Sequence, residues 1–325
     1  MKHIFHFIFL AALCFLLCLI LGSCKKPPEP ITKTSFKLNT VVTVTIYDSS
    51  DVSLLEHSME LCDYYENLFS RTRETSEIYQ INQGLKKRLS PETEELLEIA
   101  LSYSRISGGL FDPSIGPVSG LWDFHADQPE VPEDTLIREA LPLIDAEKIR
   151  LSDHCVTMNE GMILDLGAIS KGYIADRIKE YLVEEGVKSA VIDLGGNVLC
   201  IGNRPDGTPF RIGIRQPFAD TGSAAAALSV TEQSVVTSGI YERCFTKDGI
   251  LYHHLLDPRT GYPCENELAS VTVLSDHSVD GDALSTSCFL MGTEKGLELI
   301  NSLPNVRAVF LTREGELIYS DGFED

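Results

Sequence analysis

Phe210-Arg-Ile-Gly-Ile-Arg215, Ala226-Ala-Leu-Ser-Val230, Ser234-Val-Val-Thr237, Leu251-Tyr-His-His-Leu-Leu256 and Ala269-Ser-Val-Thr-Val-Leu274 follow one another as short runs of β-branched, aliphatic and aromatic residues, divided by clusters of Gly, Pro, Asp and Ser. Such side chains suit a pleated, half-buried surface, and runs this short with turn residues between them read as strands of an antiparallel sheet. Upstream, the alternation from Ser35 places Val42, Val44 and Ile46 on one strand face before a turn at Asp48-Ser-Ser50. Leu54, Leu55, Met59, Leu61 and Cys62 then recur at helical spacing. Ser90 as cap, Pro91 at the first helical position and a Glu-rich first turn open a second helix, which Gly108-Gly109 closes. Between these helices, Phe69 to Asn82 reads as a polar loop with basic residues, a candidate ligand wall. A strand is expected from Met162 to Leu166, a helix from Ser170 to Glu185 stopped by Gly186, and a strand from Ala190 to Asp193. A helix from Gly281 to Met291, another after Thr293 and a hairpin around Arg313-Glu-Gly315 complete the order. Strands and helices mixed this way predict an α+β fold, with two closely packed lobes of largely antiparallel sheet flanked by helices. Residues 110–150, around the single tryptophan Trp122, read as turns and a subdomain connection.

Near the start of the 325-residue chain, Lys2 precedes an apolar run from Phe7 to Leu21 that ends in Leu21-Gly-Ser-Cys24. A short apolar run ending in small residues before a cysteine reads as a signal peptide over residues 1–23 and resembles the bacterial lipobox, with Cys24 as the lipidated first residue. The alternative is an uncleaved anchor helix. Residues 24–34 would be a proline-containing tether, and 35–325 the folded domain. The protein is thus expected outside the cytoplasm, held to a bacterial membrane through Cys24, with the periplasmic face of the inner membrane as the first expectation. The formal charge is −21, and loss of Lys2 with the signal makes it one unit more negative. That balance argues against nucleic acid as a partner but leaves room for a phosphorylated ligand held by backbone amides or a divalent cation. The nine cysteines contain no Cys-x-x-C pair, so neither zinc nor haem is suggested, and most of those in the mature chain read as small buried thiols.

Three separated segments carry the chemistry: Asp165-Leu-Gly-Ala-Ile-Ser-Lys-Gly-Tyr-Ile-Ala-Asp176, His253-His-Leu-Leu-Asp-Pro-Arg-Thr-Gly-Tyr-Pro263 and Asp282-Ala-Leu-Ser-Thr286. Each joins oxygen ligands or a titratable group to backbone-exposing glycines, the equipment for holding a magnesium-bound pyrophosphate. Asp282 and Thr286 lie one helical turn apart and can share a small hard cation, or they can simply belong to an acidic helix start. Lys171 early in a helix opposes the helix dipole and calls for an anion, or is a surface lysine. His254 offers an imidazole beside a tight turn in which Asp257, Pro258 and Gly261 read as structural.

Taken together these segments resemble the ApbE-type family of flavin transferases, which move FMN from FAD onto a protein threonine or serine. The resemblance runs from about Thr34 to Tyr319 and includes Ser76-Glu77-Ile78 with Asn82, Phe111-Asp112-Pro113 through Gly116-Pro117 to Trp122, Gly195-Gly196-Asn197, and Thr237-Ser-Gly239 with Tyr241. It implies a T-fold-like architecture. It also implies Mg2+ between the Ala168 carbonyl, the Asp282 carboxylate and the Thr286 hydroxyl, with Asp165, Lys171 and Ser285 contacting FAD. Further FAD contacts are implied from Leu38, from Ser70, Arg71 and Thr72, from Leu110, Phe111 and Asp112, and from His254. His254 matches the family's base and is expected to titrate near its ordinary pKa. Asn197 stands where relatives often carry Asp. The implied partner is an acceptor protein with a Thr or Ser flavinylation site, an extracytoplasmic redox subunit. A magnesium-dependent FAD pyrophosphatase and a non-catalytic flavin-binding lipoprotein are the alternatives.

Overall fold

The computed structural model describes residues 28–219 and 222–323, so the expected signal segment and Cys24 lie outside the described residues. Strands β1 (Ile31–Lys37) and β2 (Thr40–Ile46) form a hairpin whose Leu38-Asn39 turn has φ of 54° and 55°, the left-handed pair that matches strand twist. Pairing begins at Ile31 against Ile46, so residues 31–34 are strand and not tether. The cause is visible in the hydroxyls that line the outer face: Thr32 meets Thr45 at 3.1 Å and Thr34 meets Thr43 at 3.0 Å. Val42, Val44 and Ile46 point to the core, as their alternation predicts.

Helix α1 (Ser53–Phe69) is followed by α2 (Glu77–Asn82), which replaces part of the expected loop. Ser76 caps it by accepting from the Tyr79 N–H at 3.1 Å, and Ile78 and Ile81 are buried; six residues are too few for apolar spacing to announce it. Helix α3 (Pro91–Ile106) starts where predicted, with Ser90 accepting from the Thr93 N–H. The connection that follows contains α4 (Gly116–Ser119), α5 (Asp134–Ala140), two single 3-10 turns and the small hairpin β3 (Arg150–Ser152) and β4 (Cys155–Thr157). Residues 162–166 are extended but belong to no named strand. Their apolar side chains are drawn into the core while their backbone finds partners elsewhere. The Asn82 amide bonds both the N–H (2.8 Å) and the carbonyl (2.9 Å) of Leu164, and the Asp165 N–H donates to the Pro113 carbonyl.

The remainder runs α6 (Ser170–Glu184), β5 (Ala190–Leu194), β6 (Asn197–Ile201), β7 (Phe210–Arg215), β8 (Ala224–Val230), β9 (Ser234–Gly239), β10 (Cys244–Lys247), β11 (Ile250–His253), β12 (Leu268–Ser275), α7 (Ser278–Met291), α8 (Thr293–Ser302), β13 (Arg307–Thr312) and β14 (Leu317–Tyr319). Eight strands form one antiparallel sheet in the order β1-β2-β5-β6-β9-β12-β13-β14, and the β6–β9 pairing joins the two halves of the chain. A helical layer covers one face: α1 rests on β1, β2 and α6, α6 on β5, β6 and α7, and α7 on β9 and β12. The hairpin β7–β8 packs with the alternate residues Cys200, Val235, Leu274 and Val309 in a second apolar cluster, which explains why β12 is buried along its whole length. A third cluster gathers Val118, Trp122, Ile137 and Leu256 with Phe124, Phe245, Tyr252 and Tyr262. Residues 110–150 therefore clasp the β10–β11 hairpin, and the Trp122 indole N–H donates to the Gly261 carbonyl at 3.0 Å. Among the described residues no helix is long and apolar enough to cross a membrane.

Candidate active site

The first turn of α6 is built around an exchange of partners. Asp165 accepts from the Gly167 N–H at 3.0 Å, bending the chain, and the Leu166 carbonyl accepts from Ile169 and Ser170. No side chain of its own caps α6. The Gly172 N–H does not close on the Ala168 carbonyl but donates instead to Asp282 Oδ2 on α7, at 2.9 Å. Among the described residues the Ala168 carbonyl is left without a hydrogen-bond donor, one of the open groups that a helix start presents to a ligand. Lys171 places its Nζ 3.4 Å from Asp282 Oδ1, a long contact that leaves this oxygen room for a further partner. The approach depends on a missing side chain: a Cβ at Gly172 would lie 2.3 Å from the Ser278 carbonyl oxygen. Gly172→Ala must push α6 and α7 apart, and a loss of about 1–3 kcal/mol in unfolding free energy is expected. A lowered denaturant midpoint checks it.

Asp282 is 4% exposed, and Thr286, one turn further along α7, is the only residue of 281–290 that is not buried. The helix thus opens to the surface at Thr286, whose hydroxyl lies 3.1 Å from that of Ser238 on β9. Ser285, expected to touch FAD, is fully buried; it bonds Ser238 at 2.8 Å and the Asp282 carbonyl at 3.1 Å. Ser238 lies in the Thr237-Ser-Gly239 segment, and the fold brings its hydroxyl to both Ser285 and Thr286. A carbonyl, a carboxylate and a hydroxyl are hard oxygen donors and suit Mg2+. Among the described residues no group of three or more His, Cys, Asp and Glu side chains could hold a metal, so any cation site here draws on backbone and hydroxyl oxygens.

Around this centre, the Arg71 guanidinium donates to Asp165 at 2.8 Å and the Ser119 hydroxyl donates to the same oxygen at 2.6 Å. Two expected ligand contacts therefore pair with each other. Ser70 accepts from the Thr72 and Arg73 N–H groups, shaping the loop that presents Arg71, while Thr72 stays exposed. Asp112 is a brace: Ser114 donates twice to one oxygen and the Ala146 N–H to the other, so both oxygens are engaged within the protein. Phe111 is buried and Leu110 half-buried. Leu38 packs partly against the main core at the β1–β2 turn, where Thr40 fills the space over Gly195. Asn197 is buried and accepts from the Ser278 hydroxyl at 2.7 Å, a structural position and not an ionic one.

His254 lies just past β11, fixed by its backbone N–H to the Arg243 carbonyl at 3.1 Å. Its Nδ1 is buried without a partner among the described residues, while the side chain keeps some open surface, so Nε2 is the nitrogen available to a substrate. The expectation of an ordinary pKa is corrected: burial pushes it down to about 3, and Arg243, His253 and Lys171 act in the same direction. Among the described residues no carboxylate pairs with it, and the Arg243 backbone offers the imidazolium only a minor compensation. His253 is buried edge-on against Phe289 and is likewise pushed down, to about 4. Asp257 accepts from the Arg259 N–H and guanidinium, and its carbonyl accepts from Thr260 and Gly261, which is the turn role the sequence suggested.

The model of the ApbE family matches residues 38–310. An FAD:protein FMN transferase of Klebsiella pneumoniae is 38% identical over 84% of this chain and 86% of its own length. One of Treponema pallidum is 32% identical over 95% and 93%. Among solved structures, the ApbE protein of Thermotoga maritima superposes with a TM-score of 0.83 at 28% identity, covering 90% of this chain and 97% of its own. The apo flavinyl transferase ApbE of Pseudomonas stutzeri gives 0.78 at 27%, covering 90% and 95%.

Proposed function

The chain belongs to the ApbE family, and from that premise we propose that its cleft transfers FMN from FAD to a threonine or serine hydroxyl of an acceptor protein, with Mg2+ held by the Ala168 carbonyl, Asp282 and Thr286. It is a transferase whose substrate is FAD and whose product is a flavinylated protein. The observation that supports the detailed reading most is the exchange at the helix start, where Asp282 takes the Gly172 N–H and so frees the Ala168 carbonyl beside itself.

Bound there, Mg2+ would neutralise the pyrophosphate and the charge that develops as the anhydride opens. The chain's own groups do the rest. Lys171 and the open start of α6 attract the phosphates, and Arg71 with Asp165 borders the cleft. His254, neutral at working pH because its surroundings exclude the proton, accepts the acceptor hydroxyl's proton through Nε2. The hydroxyl oxygen bonds the flavin-side phosphorus, the phosphoanhydride P–O bond breaks, and AMP leaves with the bonding pair. The phosphates' negative charge favours the imidazolium that forms, which the free protein does not.

Lipid attachment at Cys24, an extracytoplasmic location and a redox-subunit acceptor are part of the same proposal and rest on the sequence pattern. The test incubates the purified protein with FAD, an acceptor domain and either Mg2+ or a chelator. A fluorescent acceptor band with AMP, lost on chelation, is expected. AMP and free FMN without a labelled acceptor would make the protein a pyrophosphatase, and no AMP at all would leave a flavin binder.

A further inference from the structure

Asp176, one turn along α6 from Gly172, points its carboxylate at the start of α7: Oδ1 accepts from the Ser278 N–H at 2.8 Å and Oδ2 from the Val279 N–H at 2.9 Å. These are the first two N–H groups of α7, and His277, the residue at its cap position, supplies no side-chain bond. The relation is reciprocal. A carboxylate of α7, Asp282, satisfies an open N–H at the start of α6, and a carboxylate of α6 satisfies two at the start of α7. We infer that Asp176 is a positioning residue for Asp282, holding the first turn of α7 so that the Asp282 carboxylate faces the Ala168 carbonyl. The inference rests on the reading of Asp282 as a metal ligand.

Three features support it. Asp176 is buried, and its bonds to two backbone donors fix both of its oxygens. Other elements hold the side chains of the same turn but not its backbone. The Ser278 hydroxyl donates to Asn197 and accepts from Ser234, and Tyr103 donates to Asp280 at 2.6 Å. Asp282 follows Ser278 by four residues, so unwinding of the first turn moves Asp282 relative to α6. The arrangement is an outer support for an oxygen ligand, the role whose loss costs metal affinity before it costs chemistry.

The test uses Mn2+ as a paramagnetic stand-in for Mg2+, titrated into the purified parent protein, Asp282→Ala and Asp176→Asn with binding read by electron paramagnetic resonance. Asp176→Asn keeps the size of the side chain but turns an amide donor toward an N–H. It is expected to weaken Mn2+ binding by about 10- to 100-fold and to raise the Mg2+ requirement for turnover equally, with kcat recovered at saturating Mg2+. A purely structural role would lower kcat and the folded fraction together and leave the Mg2+ requirement unchanged, and that result would overturn the inference. If the parent and Asp282→Ala bind Mn2+ alike, the metal reading itself fails. If they differ while Asp176→Asn binds as the parent does, only the positioning role fails. Should the Asn variant not fold, hydrogen exchange of the parent decides: added Mg2+ must slow exchange at the amides of Ser278 and Val279 as well as Gly172, and protection confined to Gly172 would refute the coupling.

Discussion

Asp282→Ala is expected to lower kcat/KM for FMN transfer by roughly a thousandfold at low Mg2+, because a metal supplies several kcal/mol of charge stabilisation and each 1.36 kcal/mol is a factor of ten. Asp282 is the one carboxylate in the proposed ligand set. The alanine variant also leaves the Gly172 N–H unsatisfied and Lys171 without its anion, so a stability loss of about 1–3 kcal/mol accompanies the lost activity. Asp282→Asn separates the two effects. Its amide oxygen can still accept from Gly172, so it should melt close to the parent while remaining nearly as inactive. Stopped FAD turnover assays over a Mg2+ series, set beside thermal unfolding, check both halves. An asparagine variant that works normally at low Mg2+ would remove Asp282 from the ligand set.

His254→Ala should reduce kcat by about 10²–10⁴-fold, the usual contribution of a positioned general base, with a much smaller change in KM for FAD. The loss should not come from unfolding, since Nδ1 holds no partner whose removal would leave a broken bond. The pH dependence follows from the sign of the shift. A histidine whose pKa is pushed from 6.5 to about 3 stays neutral, and thus able to accept a proton, as the solution is acidified through the range where an ordinary histidine would be protonated. The acid limb of kcat/KM, which reports the free enzyme, therefore lies below pH 6.5 in the parent, and alanine removes it. A limb that persists unchanged in His254→Ala would assign the titration to another group.

Much of the fold was legible because its signals are local. Ser90-Pro91 opens α3, and Val42, Val44 and Ile46 alternate where the sheet requires it. The misreadings occur where tertiary contacts replace local ones. Residues 162–166 have a strand's composition, yet the Asn82 side chain occupies the place of a neighbouring strand, and nothing local to 162–166 reports a partner eighty residues away. Helix α2 is six residues, less than two turns, held by Ser76 and too short to show a period. At the proposed site, residue types left Asp282 and Lys171 open between a structural and a ligand-binding reading, and the family resemblance supplied the roles given to them and to His254. Neither could show that Ser285 faces inward, that Asp112 is engaged by Ser114 and Ala146, or that cations surround His254. Each of those depends on which neighbour the fold brings near, and Asp176 depends on it most, since its partners lie on another helix.

The pairing of β6 with β9 and of α6 with α7 divides the cleft between early and late parts of the polypeptide: Asp165, Ala168 and Lys171 come first, and Ser238, His254 and Asp282 follow only after the β7–β8 hairpin. During synthesis the first of these groups is thus made well before the second. A polypeptide cut after the β7–β8 hairpin would therefore keep Asp165, Ala168 and Lys171 while losing Ser238, His254 and Asp282 together, so a single break there is expected to abolish flavin transfer.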